Sequence, residues 1–588
     1  MASDGERRGV GASPGIAIGP AYVVRREQLI IPEYRVTAEQ VESELQRLDQ
    51  AFRKTREDLA EIRSGMEATG LLGSIFDAQF LFLEDPTLLE QTQRRIREER
   101  LNAEWAVQRE LNRLEALFES IGDPYIRERR TDVAFVVRRV LHALMGREPK
   151  GLGNMPAGVV VVAEDLSPAD MAQVKPGQVA GFVTGTGSRT SHVAIMARSL
   201  EIPAVVGVGA GLVDQVPDRA LLAVDGRTGR VEVDPPPDVV QEFEERRARM
   251  IVMARQLLRY ADLPAETGDG VRVALYANVD LREEIPDCLR YGAEGIGLFR
   301  TEFLFMNRPD LPGEQEQFQT YREILEAVSP HSAVIRTLDL GGDKLPSSVA
   351  LPLEPNPALG IRGMRLSQRK NGLFRTQLRA LLRAGAHGRL RILLPMISGL
   401  EELEFARSEL EELQADLRRE GEAMADSVEL GVMVETPAAA MIADLLAERA
   451  DFLSIGTNDL VQYTLAVDRG NEHVAYLYEP LHPAHLRLIE RICQAGRHAG
   501  TPVGMCGEMA GEPVHAWVLL ALGVTELSMA PSAIPLMKKI IRESTLEEAR
   551  ELYAELLGLG SAAEIRERVE RALVGRFPSE FEHIVLKG

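Results

Sequence analysis

The chain has 588 residues, 45% of them hydrophobic and 27% charged, a balance that excludes wholesale disorder and, at roughly 150 residues per domain, predicts three or four folded units. The 68 Lys and Arg against 89 Asp and Glu leave a formal net charge of −21, which excludes general nucleic-acid binding. No apolar run approaches the roughly 20 residues of a membrane span, no secretory signal is read at the start, and only Cys288, Cys493 and Cys506 are present, so no membrane insertion, no disulfide framework and a cytoplasmic setting are expected.

In chain order, the turn-rich apolar stretch Gly9–Val24 reads as one or two strands. From Thr37, where Thr37 and Gln40 form a capping-box pattern, Val41, Leu45, Leu48, Phe52, Leu59 and Ile62 recur along one helix face. Further helical patterns run to about Gly146. Short β-branched runs bounded by Gly and Pro then return, as in GVVVVAEDL, GFVTGTGS, PAVVGVG and RALLAVDG. They resemble the N-terminal stretch, so the reading is an α/β domain, residues 1–36 and 147–233, interrupted by an all-helical unit, residues 37–146. Asp234-Pro-Pro-Pro237 ends that domain and opens a charged connecting helix, the linker being residues 234–262.

From residue 263 to 588, eight strand-like runs alternate with helical ones: VRVALYAN, GIGLF, AVIRTLD, RILLPM, LGVMVE, DFLSIG, PVGMCG and ELSMA. That alternation predicts a closed (β/α)8 barrel of TIM type, with its chemistry at the C-terminal strand ends. The strand ends carry Arg300, Arg336, Glu435, Asn458, Asp459 and Cys506, and the adjoining loops carry Lys344, Arg362 and Arg469. Guanidinium forks select a multiply charged small anion, and two carboxylates without His or Cys partners suit Mg²⁺. Together they suit removal of a phosphoryl group. Any one arginine at a barrel mouth is equally a structural ion-pair partner; the set, delivered strand by strand to one end, is what points to chemistry. Cys288 and Cys493 read as buried small hydrophobes. Cys506, at a strand end beside the expected metal, has the position to protonate a carbanion-like product.

In the α/β region, His192 closes the turn Gly185-Thr-Gly-Ser-Arg-Thr-Ser-His and opens a helical run. Free backbone N–H groups and the positive helix end keep such an imidazole neutral and would stabilise a phosphoryl group on it; the alternative is a histidine that only caps the helix. His482-Pro-Ala-His485 has the spacing of a metal pair but no third ligand nearby in sequence.

The strings GTGSRTSHVAIMARSLEIPAVVG, GIGLFRTEFLFMNR, RTLDLGGDK, VMVETPAAA, DFLSIGTNDLVQYTLAVDRGN and GMCGEMAG, in this order, resemble the PEP-utilising enzymes. The likeness is strongest to the branch that phosphorylates a small histidine-containing phosphocarrier protein, HPr. The resemblance implies that phosphoenolpyruvate phosphorylates His192 on Nε2 and that HPr docks on the helical unit to receive the group. It further implies phosphoenolpyruvate binding by Arg300, Arg336, Asn458, Asp459 and Arg469, with Lys344 and Arg362 as supporting charges. Glu435 and Asp459 are then the Mg²⁺ ligands, Cys506 is the proton donor to the methyl carbon of pyruvate, and members pair as homodimers through the barrel. Two departures stand out: Gly187-Ser188 replaces a usual Gly pair, which should stiffen the turn, and Thr436 stands where an aliphatic residue is common. Pyruvate phosphate dikinase and phosphoenolpyruvate synthase need a nucleotide-binding domain, for which the N-terminal part is too short and without a P-loop string. A nitrogen-regulatory paralogue would carry a sensory domain before Gly9, and none is expected. A non-catalytic regulator would be expected to have lost one of the residues above. Transfer between two domains joined by one helix implies a swivel about Asp234–Pro237.

Overall fold

The computed structural model describes residues 6–25, 31–67, 83, 86–120, 124–146, 152, 155–171, 174, 177–188, 191–306, 310–341, 349, 351, 354, 356–469, 471 and 473–581; His192 is described by its backbone alone. The chain forms two compact units, Met1–Met253 and Ala254–Gly588, and the division falls inside the helix Pro237–Leu257.

The first unit holds an eight-stranded mixed sheet. Its strands are β1 (Glu6–Arg8), β2 (Val10–Ser13), β3 (Ile16–Val24), β4 (Val159–Ala163), β5 (Val179–Thr184), β6 (Ala204–Val206), β7 (Leu221–Asp225) and β8 (Arg230–Val233), in the order β1-β8-β7-β3-β4-β5-β6-β2. The run β3-β4-β5-β6 is parallel, and its inner members are nearly continuous apolar runs because both sheet faces are covered. β3 and β4 are neighbours, with Ala21 opposite Val160, although the helices Val41–Glu67, Pro86–Glu99, Ala103–Ser120 and Pro124–Leu144 lie between them in sequence. The first of these starts later than its capping pattern suggests: Gln40 reaches back to the Thr37 amide at 2.9 Å, but a turn intervenes and regular helix begins at Val41. A helix expected over IFDAQFLFLE lies largely outside the described residues.

The second unit is the closed parallel barrel: β9 (Ala274–Val279), β10 (Gly295–Arg300), β11 (Ser332–Arg336), β12 (Arg389–Leu394), β13 (Glu429–Val434), β14 (Phe452–Ile455), β15 (Val503–Met505) and β16 (Glu526–Met529), with β16 closing on β9. Its lumen is packed by Leu298, Val334, Leu393, Met433, Phe452 and Cys506. At the N-terminal end, the Arg391 guanidinium lies 4.0 Å from the centre of the Phe452 ring and pairs with Glu429 at 2.9 Å and Glu526 at 3.0 Å. Phe452 fits because Gly431 has no side chain: a Cβ there would stand 2.2 Å from the ring. Gly431→Ala is therefore expected to cost about 1–3 kcal/mol through overpacking, read as a lower urea midpoint with unchanged slope.

Candidate active site

In the first unit the strand β5 ends at Thr184, and the helix His192–Ser199 begins eight residues later. Ser191 is the N-cap, its Oγ accepting from the Ala194 amide at 3.4 Å, so His192 is the first helical residue, within the positive end of the helix dipole. Gly187 has φ +118°, a conformation that glycine alone adopts readily, and a Cβ there would press on Ser191 Oγ at 3.3 Å. Ser188 is not among the positive-φ residues, and its carbonyl accepts from the Ser191 amide at 3.1 Å. The turn's demand for glycine therefore falls on Gly187, which accounts for a serine at 188.

At the C-terminal end of the barrel, Asp339, Glu435 and Asp459 are all buried and offer one carboxylate oxygen each within 4.8 Å of one another. Strand ends deliver them: Asp339 follows β11, Glu435 follows β13, and Asp459 sits in the first turn of the helix Thr457–Leu465 after β14. Two guanidiniums bind this cluster. Arg362 reaches Asp339 with Nε at 3.0 Å and Nη2 at 2.7 Å, Asp459 with Nη2 at 3.0 Å, and the Tyr463 hydroxyl with Nη1 at 3.2 Å. Arg336 reaches Glu302 with Nη2 at 2.9 Å and Asp339 with Nη1 at 3.3 Å, while its buried Nε has no hydrogen-bond partner.

Four carboxylates thus face two guanidiniums, a surplus of two negative charges in a buried space. Burial alone would lower the pKa of Arg336 and Arg362; the carboxylates around them more than reverse it, so both stay charged. Glu435 carries the cost of the surplus. Burial first, then the charges of Asp339 and Asp459, push its carboxyl up to about 8, although it accepts a hydrogen bond from the Met396 amide at 2.6 Å. A divalent cation would remove that penalty. The donor set is all oxygen, which suits a hard ion, and Glu302 Oε2 is a further buried oxygen without a partner.

Of the residues marked by sequence, Arg336, Arg362, Glu435 and Asp459 meet in this cluster. Cys506, buried after β15, lies within electrostatic reach of Arg336, Arg300 and Glu435, and burial raises its thiol pKa. Arg300 at the end of β10 binds Asp280 with Nη1 at 3.1 and 3.2 Å. Asn458 is tied to Glu508 both ways, its Oδ1 accepting from the Glu508 amide at 2.9 Å and its Nδ2 donating to Oε1 at 3.3 Å. Arg469 is exposed and its charge acts on Tyr478, whose hydroxyl donates to the Asn458 carbonyl at 3.4 Å. Lys344 lies outside the described residues. Sequence reasoning missed Asp339, Glu302, Asp280 and Tyr463; Asp339 stands three residues after Arg336 inside a motif already noted, and its position past a strand end was the available signal.

Thr436 is explained by local structure. Its Oγ1 accepts from the Ala439 amide at 3.1 Å, capping the helix Pro437–Met441, and donates to the Ile397 carbonyl at 2.8 Å. Thr436→Val is expected to lower stability by about 1–2 kcal/mol, measured by urea unfolding, because a cap and a buried carbonyl's partner are lost together.

Residues 8–129, 155–229 and 254–546 match the N-terminal, mobile and PEP-binding domains of the PEP-utilising enzymes. A phosphoenolpyruvate-protein phosphotransferase of Geobacillus stearothermophilus is 44% identical over 565 residues, covering 96% of this chain and 97% of that protein. One from Bacillus subtilis (strain 168) is 41% identical over 564 residues, 95% of this chain and 98% of its own length. A solution NMR structure of an Enzyme I protein covers 41% of this chain and 98% of that one, at 36% identity and a TM-score of 0.35. In the described residues no helix is long and apolar enough to cross a membrane. With three domains matched in order and relatives of nearly equal length above 40% identity, the chain belongs to the PEP-utilising enzymes, in the branch of the phosphoenolpyruvate–protein phosphotransferases.

Proposed function

We propose that this chain takes the phosphoryl group of phosphoenolpyruvate onto His192 and passes it to the phosphocarrier protein HPr, releasing pyruvate, as the first step of a sugar phosphotransferase system. The observation that carries this reading is the buried cluster of Asp339, Glu435 and Asp459 held by Arg336 and Arg362 at a barrel mouth, on a chain that also places His192 at a helix start behind its Ser191 N-cap.

In this reading Arg300, Arg336 and Arg469, with Lys344 and Arg362 in support, bind the phosphate and carboxylate of the substrate, and Asn458 and Asp459 complete the site. Glu435 and Asp459, with Asp339 beside them, would hold Mg²⁺, which supplies charge neutralisation for the phosphate and enolate oxygens. The His192 imidazole attacks phosphorus through Nε2: the P–N bond forms as the bond to the enol oxygen breaks, and the oxygen keeps the electron pair. The helix N-terminus disfavours the imidazolium before attack and stabilises the phosphoryl group after it. Cys506 then gives its proton to C3 of the enolate. In-line attack needs Nε2 about 3–3.5 Å from phosphorus, and delivery to HPr needs the ring to leave again, so the α/β domain (1–36 and 147–233) swivels against the barrel (263–588) on the linker 234–262. HPr docks on the helical unit 37–146, and two copies pair through the barrel in the cytoplasm.

The test is incubation with ³²P-labelled phosphoenolpyruvate and Mg²⁺. Acid-labile label on the native chain, absent from His192→Ala and abolished by chelation, is the expected result. Equal labelling of His192→Ala overturns the assignment.

A further inference from the structure

The helix Thr457–Leu465 carries Asp459 and Tyr463 four residues apart, and so on one face. Both side chains meet the Arg362 guanidinium. Asp459 Oδ2 accepts from Nη2 at 3.0 Å and the Tyr463 hydroxyl accepts from Nη1 at 3.2 Å, while Asp339 holds the edge formed by Nε and Nη2. The other neighbour of the Tyr463 hydroxyl is the Ala358 carbonyl, 2.5 Å away. A hydroxyl has one proton, and a carbonyl can only accept while a guanidinium can only donate. The proton therefore goes to Ala358 and a lone pair faces Arg362. Ala358 and Arg362 belong to one loop, between β11 and the helix Gly363–Arg369. Inside that loop the Ile361 amide donates to the Glu354 carboxylate at 2.9 and 3.1 Å, and Arg365 Nη1 donates to the Leu359 and Gly360 carbonyls at 3.0 and 3.2 Å. Those bonds shape the loop without tying it to another element. The Tyr463 hydroxyl ties it, from a helix 105 residues further along the chain. A phenylalanine would fill the same half-buried place, so the hydroxyl's use lies in what it holds.

We propose that Tyr463 is a positioning residue for the substrate anion: its hydroxyl fixes the tilt of Arg362 and fastens the loop bearing it to the helix bearing Asp459. The inference rests on Arg362 supporting the charges of phosphoenolpyruvate, as read above. A guanidinium has five N–H donors in one plane. Asp339 takes two, Asp459 one and Tyr463 one, so a single Nη1 donor is left for an oxygen of the anion. Asp339 grips one edge, about which the rest of the fork can tilt. The bond to Tyr463 stops that tilt, and because Nη1 is planar, placing one of its N–H groups places the other. The hydroxyl touches neither phosphorus nor the enol oxygen, and the charge on Arg362 does not depend on it. Its loss should therefore weaken substrate and transition state alike, which raises the substrate concentration needed without slowing the saturated step.

The experiment uses the full chain with Mg²⁺ and follows phosphorylation of His192 by rapid quench across a range of phosphoenolpyruvate concentrations. Tyr463→Phe is expected to raise the half-saturating concentration by about tenfold to thirtyfold, as for one hydrogen bond to a charged group, with the saturating rate nearly unchanged. Its urea midpoint should stay close to native, because Ala358 is exposed and water can serve its carbonyl. Arg362→Lys is expected to raise the half-saturating concentration as well. Adding Tyr463→Phe to Arg362→Lys should then change it by less than about twofold, since the lysine has no Nη1 for the hydroxyl to hold. A native half-saturating concentration in Tyr463→Phe overturns the proposal. So do effects of the two substitutions that multiply, because Tyr463 then acts independently of Arg362. A fall of the saturating rate together with the urea midpoint also overturns it, as that is what a packing defect gives. A native half-saturating concentration in Arg362→Lys instead removes the substrate-binding reading of Arg362 on which the inference stands.

Discussion

Arg336→Lys is expected to slow phosphorylation of His192 by about a hundredfold to a thousandfold while leaving the barrel folded. The lysine keeps the positive charge but not the planar fork. In the native chain that fork joins Glu302 at 2.9 Å to Asp339 at 3.3 Å and keeps a third donor, Nε, buried and unspent. An ammonium places three donors on one atom and cannot serve two carboxylates and a phosphate at fixed separation. Removing the charge altogether, as in Arg336→Met, is a poorer test: it strands buried carboxylates at a cost of about 3–5 kcal/mol and would confound activity with unfolding. Arg391→Lys at the opposite end of the barrel is the matched control. Arg391 is also buried and paired with two carboxylates, so its replacement should lower the urea midpoint without changing the single-turnover rate. An equal loss of rate in both variants would mean that the effect comes from barrel integrity and not from a phosphate clamp.

The contrast between these two arginines shows what the sequence makes legible. Eight apolar runs separated by helical patterns are enough to foresee a barrel, and the strand ends then nominate residues without any coordinates. Arg336 follows from that logic, as do Glu435, Asp459 and Cys506. The rest of the cluster does not. Asp339 lies three residues beyond the end of β11, and its pairing with Arg336 and, 23 residues on, with Arg362 is a contact that no hydrophobic period announces. Tyr463 sits on a helix whose pattern gives no reason to expect its hydroxyl against Arg362, from a loop 101 residues away. Such pairings depend on loop paths, which hydrophobic period does not encode. Backbone conformation is likewise hidden: the left-handed φ of Gly187, and not of Ser188, makes the altered glycine pair tolerable. In the same way Thr436 reads as an oddity in sequence and as a helix cap in the fold.

The histidines of the barrel give the second large effect. Stability should fall as pH drops from 6.5 toward 4, by up to about 3 kcal/mol for each of two buried rings. His485, fully buried at the start of the helix Pro483–Ala499, has Nδ1 2.7 Å from the Pro480 carbonyl, and its Nε2 has no partner. His515 is bonded to the Met509 backbone, and its Nδ1 is likewise buried without a partner. Burial is the leading cause that lowers each pKa from 6.5 to about 4; the neighbouring His515 and His482 add to it for His485. Both rings are therefore neutral in the fold. Above pH 6.5 neither state binds a proton and stability does not change through them. Between 6.5 and 4 the unfolded chain takes up protons that the fold refuses, so stability is lost as pH falls, and below 4 the slope from these groups ends. Glu435, raised to about 8 by burial and its neighbours, works in the opposite sense, so the informative quantity is the difference between native and variant chains at each pH. Trp517, two residues beyond His515 and bonded through Nε1 to Ser544 at 2.7 Å, reports unfolding of this region in a Trp105→Phe background. Urea midpoints of the native chain should fall below pH 6.5, while His485→Gln with His515→Gln should flatten that fall; an identical fall in both would place the acid sensitivity elsewhere. The consequence reaches the site, because Pro480 follows the segment bearing Arg469 and Tyr478, and Met509 follows Cys506 and Glu508. Charging either ring would leave a buried positive charge beside those segments.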